Sequence, residues 1–203
     1  MTLLAINAAA APVVTAATIR IVVTSPTSCE VTIALRLEGA SEIEHRIESF
    51  DGSEVELQEL KGARSAGEPR RVGRTRVLTL RLDRPDYELR YRAMQNADRA
   101  DRCPLWIPSA PTTGQLETVR IDVQLPDGGR PGGTMPALAW TGSTGTTRIG
   151  HVPAFVRAPY SAAGEAAGWN LLQVMDAVTV ATFAAASGIW VWRRRRVRAR
   201  HAG

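Results

Sequence analysis

Histidine and cysteine are scarce in this chain: three histidines and two cysteines among 203 residues. A zinc site built from Cys and His needs about four such ligands gathered at short spacings, and no such grouping occurs. No Gly-x-Ser-x-Gly elbow is present, and the serines have no evident base partner. The glycine-rich stretch Gly128–Gly133 lacks the Lys-Ser/Thr pair that completes a phosphate loop. It reads instead as a loop that needs positive φ. Helical periodicity is absent before Gly168, and no internal repeat is evident. Catalysis through a common constellation, and a cofactor with a recognisable motif, are therefore not expected.

What the chain does have is alternation. In Cys29–Glu38 the set Cys29, Val31, Ile33, Leu35, Leu37 alternates with mostly polar residues. That period of two marks a strand with one buried and one wet face. Ile19, Ile21 and Val23 line one side of a preceding strand, and the intervening Ser-Pro-Thr-Ser has turn composition, so the two form a hairpin. The same pattern recurs at 76–83, 87–94 and 118–125, and more weakly at 42–47, 54–60, 137–140 and 147–152. Eight or nine strands follow, with turn signals between them. Polar-out, apolar-in alternation favours antiparallel sheets packed face to face. The expected fold is all-β, an antiparallel β-sandwich, Ig-like or related, over residues 17–160. Residues 61–73 and 126–136, rich in Gly, Pro and Arg, are expected to be long loops.

The C-terminal end has another character. From Leu171 to Trp192 run 22 residues with a single charge, Asp176. At about 1.5 Å per residue a helix of that length covers roughly 33 Å, enough for a hydrocarbon core about 30 Å thick. Trp169 stands at one end and Trp190 and Trp192 at the other, as interfacial aromatics do. Arg193, Arg194, Arg195 and Arg196 follow, then Arg198 and Arg200. Arginine-rich flanks stay on the cytoplasmic side. The expectation is a single transmembrane helix at 169–192, a basic cytoplasmic tail at 193–203 and a small-residue stalk at 161–168. Everything earlier then lies outside the cell membrane. The competing readings are a soluble helix with a basic tail, and a tail that binds nucleic acid.

Charge supports the first. The chain carries 25 basic and 20 acidic residues, a net +5. Removing the six tail arginines leaves 19 basic against 20 acidic, so the remainder has no basic field for nucleic acid.

Residues 1–16 are uncharged and apolar, and Val14-Thr15-Ala16 fits the small-residue pattern before a signal-peptide cleavage site. The basic n-region is missing, and an Ala-rich disordered terminus is the competing reading. Cys29 and Cys103 are compatible with export, where an oxidising compartment permits a disulfide. Two buried free thiols are the alternative.

Three local features are candidate sites. Leu105, Trp106 and Ile107 sit between Pro104 and Pro108, and such a run must be an edge or a shaped loop. Alternation puts Leu105 and Ile107 on one face and Trp106 on the other. Trp106 is then either an exposed contact anchor or a cap on the core. His45 lies among Glu42, Glu44 and Glu48, and His151 stands further on; either with carboxylates could hold a metal or serve an enzyme. The bland reading makes those glutamates a solvent face. In the span, Asp176 is costly in lipid unless it faces a partner or water. Ala177, Ala181 and Ala185 at four-residue spacing permit close helix approach. A partner membrane protein or a second copy is expected there.

The order signal, sandwich, stalk, span and basic stop resembles that of bacterial envelope proteins, an architectural analogy that carries no function. The expected role is a non-enzymatic, membrane-anchored extracytoplasmic binding or assembly module, an accessory subunit of an envelope complex. The alternative is an extracytoplasmic enzyme or metal-binding domain using His45 or His151.

Overall fold

The computed structural model describes residues 11–48, 53–96 and 100–161. Among them there are strands, turns and no helix. The eight strands of six residues or more are β1 (Val13–Ser25), β2 (Ser28–Glu38), β3 (Glu42–Glu48), β4 (Glu54–Lys61), β7 (Thr75–Leu82), β8 (Asp86–Met94), β11 (Val119–Gln124) and β14 (Thr144–Ile149). Shorter ones lie between them: β5 (Ala63–Ser65), β6 (Arg70–Val72), β9 (Arg102–Pro104), β10 (Ile107–Pro108), β12 (Arg130–Pro131) and β13 (Ala139–Thr141). The last two are β15 (Phe155–Arg157) and β16 (Tyr160–Ser161).

Seven strands form the larger sheet, in the order β13-β14-β11-β1-β2-β8-β4. A second sheet runs β10-β3-β7-β5, with β6 also paired to β7. Two small sheets, β12-β16 and β15-β9, complete the set. The alternation explains the burial. Ile19 and Ile21 of β1, Val31 and Ile33 of β2, Leu89 and Tyr91 of β8 and Ile121 and Val123 of β11 are buried. They join Ile43, Ile47, Leu78 and Leu80 of the second sheet in one apolar cluster. A Val, Leu or Ile side chain gains roughly 1.5–3 kcal/mol on full burial, so this cluster is the main source of stability. The fold is all-β with several sheets. A shared core between two of them is consistent with a sandwich.

Three features depart from the sequence reading. First, β1 and β11 pair in parallel, Ala17 opposite Val119 through Val22 opposite Gln124, whereas the other strand pairs are antiparallel. Alternation specifies which face is buried, not the direction of a neighbour. Second, the stretch 61–73 is not a plain loop. It holds β5 and β6, both paired to β7. Gly62 makes the passage from β4 in one sheet to β5 in the other. Its φ is +72°, and a Cβ there would come within 2.5 Å of the Asp86 carbonyl oxygen. Only glycine fits both conditions. Third, β1 begins at Val13, so the boundary drawn after residue 16 falls inside a strand.

The chain divides into two units, residues 1–163 and 164–203. No helix among the described residues is long and apolar enough to cross a membrane. The expected span and tail, with Trp169, Asp176, Ala177, Ala181, Trp190, Trp192, Arg193, Arg194, Arg195 and Arg196, lie outside the described residues.

Candidate functional site

β3 explains where the histidine goes. On a strand successive side chains point to opposite faces. Ile43, His45 and Ile47 therefore turn inward and are buried, while Glu42, Glu44 and Glu48 turn outward. Glu42 meets Arg81 and Glu44 meets Arg70 on that outer face. His45 does not converge with the glutamates, and the metal arrangement imagined for it is not formed. Among the described residues no group of three His, Cys, Asp or Glu could hold a metal ion.

Inside, His45 is fully buried, and its Nε2 lies 3.1 Å from the Tyr87 hydroxyl of β8. The two rings stand edge to face. Burial lowers the histidine to about 3, because the charged form has no water to solvate it. Burial likewise pushes the Tyr87 and Tyr91 hydroxyls well up. Tyr91 donates to the Pro104 carbonyl at 2.8 Å, which ties β8 to the proline-framed segment. Whichever tautomer His45 adopts, its Nδ1 has no hydrogen-bond partner among the described residues, and neither has Trp106 Nε1. An unsatisfied buried polar group costs about 1–3 kcal/mol. His45 and Tyr87 are thus a buried polar pair in the core and line no open cleft.

The proline-framed segment lies at sheet edges, as its prolines require. β9 pairs β15, and β10 is the terminal strand of its sheet, paired to β3. The alternation expected across it fails. Leu105 and Trp106 are both buried, 0% and 2% exposed. Trp106 is thus part of the core and offers no exposed contact anchor, and Leu105 is likewise withdrawn. The physical reason is that this segment crosses from one sheet to another, so one face is never presented continuously to solvent. Ile107 is only half-buried. With Pro108, Ala110, Pro111, Thr112, His151 and Val152 it lines a shallow, mainly apolar groove. His151 is exposed there, and no carboxylate lines that groove.

Cys29 and Cys103 are bonded, with Cα atoms 6.4 Å apart, and no free cysteine is present. The bond joins β2 to β9 and so fixes the start of the proline-framed segment. Asp101, two residues earlier, holds Arg157 at 3.0 Å. Arg102 lies over the Phe155 ring, 5.4 Å from its centre. Sequence reasoning missed this cross-tie between β9 and β15, because three-residue strands carry too few positions to show a period.

The outer face of the larger sheet is a lattice of ion pairs, among them Lys61–Glu88, Arg90–Glu30 and Arg120–Asp122. Solvent screens exposed pairs of this kind, so they serve mainly solubility.

No protein-family model matches the chain, and no curated protein matches it. Several solved structures resemble it. Yeast LTA4 hydrolase in complex with bestatin aligns with a TM-score of 0.48 at 10% identity, over 73% of this chain and 28% of that one. The M1 zinc metallopeptidase from Deinococcus radiodurans aligns with a TM-score of 0.40 at 14% identity, over 79% of this chain and 50% of that one. The chain thus spans half or less of those proteins. At such scores the likenesses carry no argument about activity.

Proposed function

We propose that this chain is a membrane-anchored extracytoplasmic module, a β-sandwich held at the cell membrane by a helix at 169–192. Its role is binding or assembly as an accessory subunit of an envelope complex, with the lipid bilayer and a second membrane helix as partners. The observation that carries the compartment is the Cys29–Cys103 bond. Disulfides of this kind persist in oxidising compartments and are rare in the cytosol. The apolar run before Arg193, with tryptophans at both ends, supports the anchor and its orientation. The near-neutral charge of residues 1–192 supports a role that does not involve nucleic acid.

Partner contact is assigned to the span, where Asp176 shares a helical face with Thr179, Val180, Phe183 and Ser187. Small residues at Ala177, Ala181 and Ala185 offer a close-packing face beside it. Co-purification of the full chain from detergent-solubilised membranes tests the role. A stoichiometric partner, or a stable homo-oligomer, that is lost with Asp176→Ala and Ala181→Leu is the expected result. A monomer recovered alone from both wild type and variants would overturn it.

A further inference from the structure

Charge before the tail is near balance in sum but not in place. Residues 64–76 hold five arginines, Arg64, Arg70, Arg71, Arg74 and Arg76, against one acid, Glu68. Taking that stretch out of residues 1–192 leaves 14 basic against 19 acidic. The excess gathers on the hairpin of β6 and β7. Arg71 pairs with Arg76 and Val72 with Thr75, so Gly73 and Arg74 make the turn between the strands. Gly73 has a φ of +62°, the left-handed conformation that a two-residue hairpin turn needs. Arg70, Arg71, Val72 and Arg74 are all exposed, Val72 at 56%. Glu44 holds Arg70 at 2.9 Å, and Glu48 stands opposite Thr75 behind the turn. Arg71 and Arg74 flank Val72 and Gly73 at the tip. Cations around an exposed apolar side chain suit anionic headgroups above acyl chains. A nucleic acid or an acidic peptide would use the arginines and leave the valine in water.

The register shows at which end of the fold this tip lies. Arg76 Nη1 donates to the Val55 carbonyl at 3.3 Å. Val55 stands opposite Ala93, and Ala93 opposite Cys29, next to the turn between β1 and β2. The other end of the sheets is marked by the Leu37 N–H, which donates to the Pro85 carbonyl just after β7. The last described residues return to the first end. Asp101 N–H donates to the Pro26 carbonyl at 2.7 Å, and Ala158 N–H to the Asp101 carbonyl at 2.9 Å. The chain therefore leaves its β domain at the end that carries the arginine hairpin.

We infer that the Arg70–Arg76 hairpin is a contact for anionic lipid, with Arg71 and Arg74 on headgroup phosphates and Val72 in the interfacial layer. This rests on the membrane-anchored reading, in which eight residues separate Ser161 from Trp169, a tether of at most about 29 Å. Attraction between exposed charges fades beyond about 8 Å at physiological salt. The tether keeps the lipid surface at high effective concentration for a weak contact of this kind.

The test is hydrogen exchange of the full chain in nanodiscs of phosphatidylcholine alone, or of phosphatidylcholine with phosphatidylglycerol. Peptides covering 70–76 should exchange several-fold more slowly in the anionic discs, and high salt should remove the difference. Arg71→Gln with Arg74→Gln should abolish it, and Val72→Ser should reduce it. Peptides covering the turn between β2 and β3, at the other end, should not change. Equal exchange at 70–76 in the two discs overturns the inference. So does slowing that persists in the double arginine variant, which would reflect the disc surface alone. Slowing by an added oligonucleotide or acidic peptide, with none in anionic discs, replaces lipid by another partner and also overturns it. An alkaline carbonate wash separates the two readings. If the wash frees the chain from membranes, the anchored reading fails. The same exchange measurement, with anionic vesicles added to the freed full chain, then decides the hairpin by itself: slowing at 70–76 that the arginine variant loses sustains the lipid contact, and its absence overturns it.

Discussion

His45 and Tyr87 meet across the core, one from each of the two larger sheets, with 3.1 Å between Nε2 and the hydroxyl. Burial of that histidine makes the fold sensitive to acid. The folded histidine titrates at about 3, below its ordinary 6.5. The unfolded chain therefore takes up the proton first as the pH falls. Stability should be greatest above about pH 6.5 and decline below it, by at most about 1.4 kcal/mol per pH unit for this one proton. Urea denaturation at pH 8, 6 and 5 measures the slope. The double variant His45→Phe, Tyr87→Phe should remove most of the slope between pH 6.5 and 5. An unchanged slope would place the sensitivity elsewhere.

The disulfide should matter in proportion to the loop it closes. Cys29 and Cys103 are separated by 74 residues. In the chain-entropy model, closing a loop of that size is worth roughly 4 kcal/mol. Cys29→Ser with Cys103→Ser should lower the urea midpoint accordingly, and reductant should do the same to the wild type. A shift near zero would mean that the reduced chain is already constrained.

Most of the fold was legible because period-two alternation is a direct record of burial. Ile19, Ile21, Val31 and Ile33 were assigned to inner faces from spacing alone, and each is buried. Less was visible where alternation gives no information. Neighbour direction is one such case, and so Ile19 lies parallel to Ile121 unannounced. Short strands are another: Ala63–Ser65 and Arg70–Val72 looked like loop because three residues cannot display a period. At the front of β1 the small residues Thr15, Ala16 and Ala17 blurred the pattern that Val14 begins. Of the site, His45 was named as a metal or enzyme candidate beside Glu42, Glu44 and Glu48, but strand alternation turns it into the core and the glutamates outward. Trp106 was left between surface and interior, and only the crossing of the chain between sheets places it inside.

A close approach at the edge of the larger sheet gives a third prediction. Trp140 of β13 stands opposite Gly145 of β14, and a Cβ on Gly145 would meet the indole at 2.9 Å. The ring occupies the space that glycine leaves. Gly145→Ala should cost about 1–3 kcal/mol, as overpacking does. In Trp140→Ala the same substitution should cost little, so thermal unfolding of the four combinations should show strong coupling. Additive effects would argue against the contact.

Association through the span is a fourth. Residues 168–196, placed in an in-membrane association assay, should self-associate or capture a partner helix. Asp176→Ala and Ala181→Leu should each weaken this by a factor of several, because a carboxylate in lipid gains most from a partner. Equal association in all three would reduce Asp176 to an interfacial residue.

Membrane anchoring with the β domain outside is tested most directly by protease protection of the full chain in spheroplasts. With a tag after Gly203, added protease should remove residues before Trp169 and leave a tagged fragment of the span and tail. Replacing the six tail arginines with neutral residues should scramble that pattern. Full protection of the β domain in intact spheroplasts, with digestion only after lysis, would contradict the proposed topology and the function built on it.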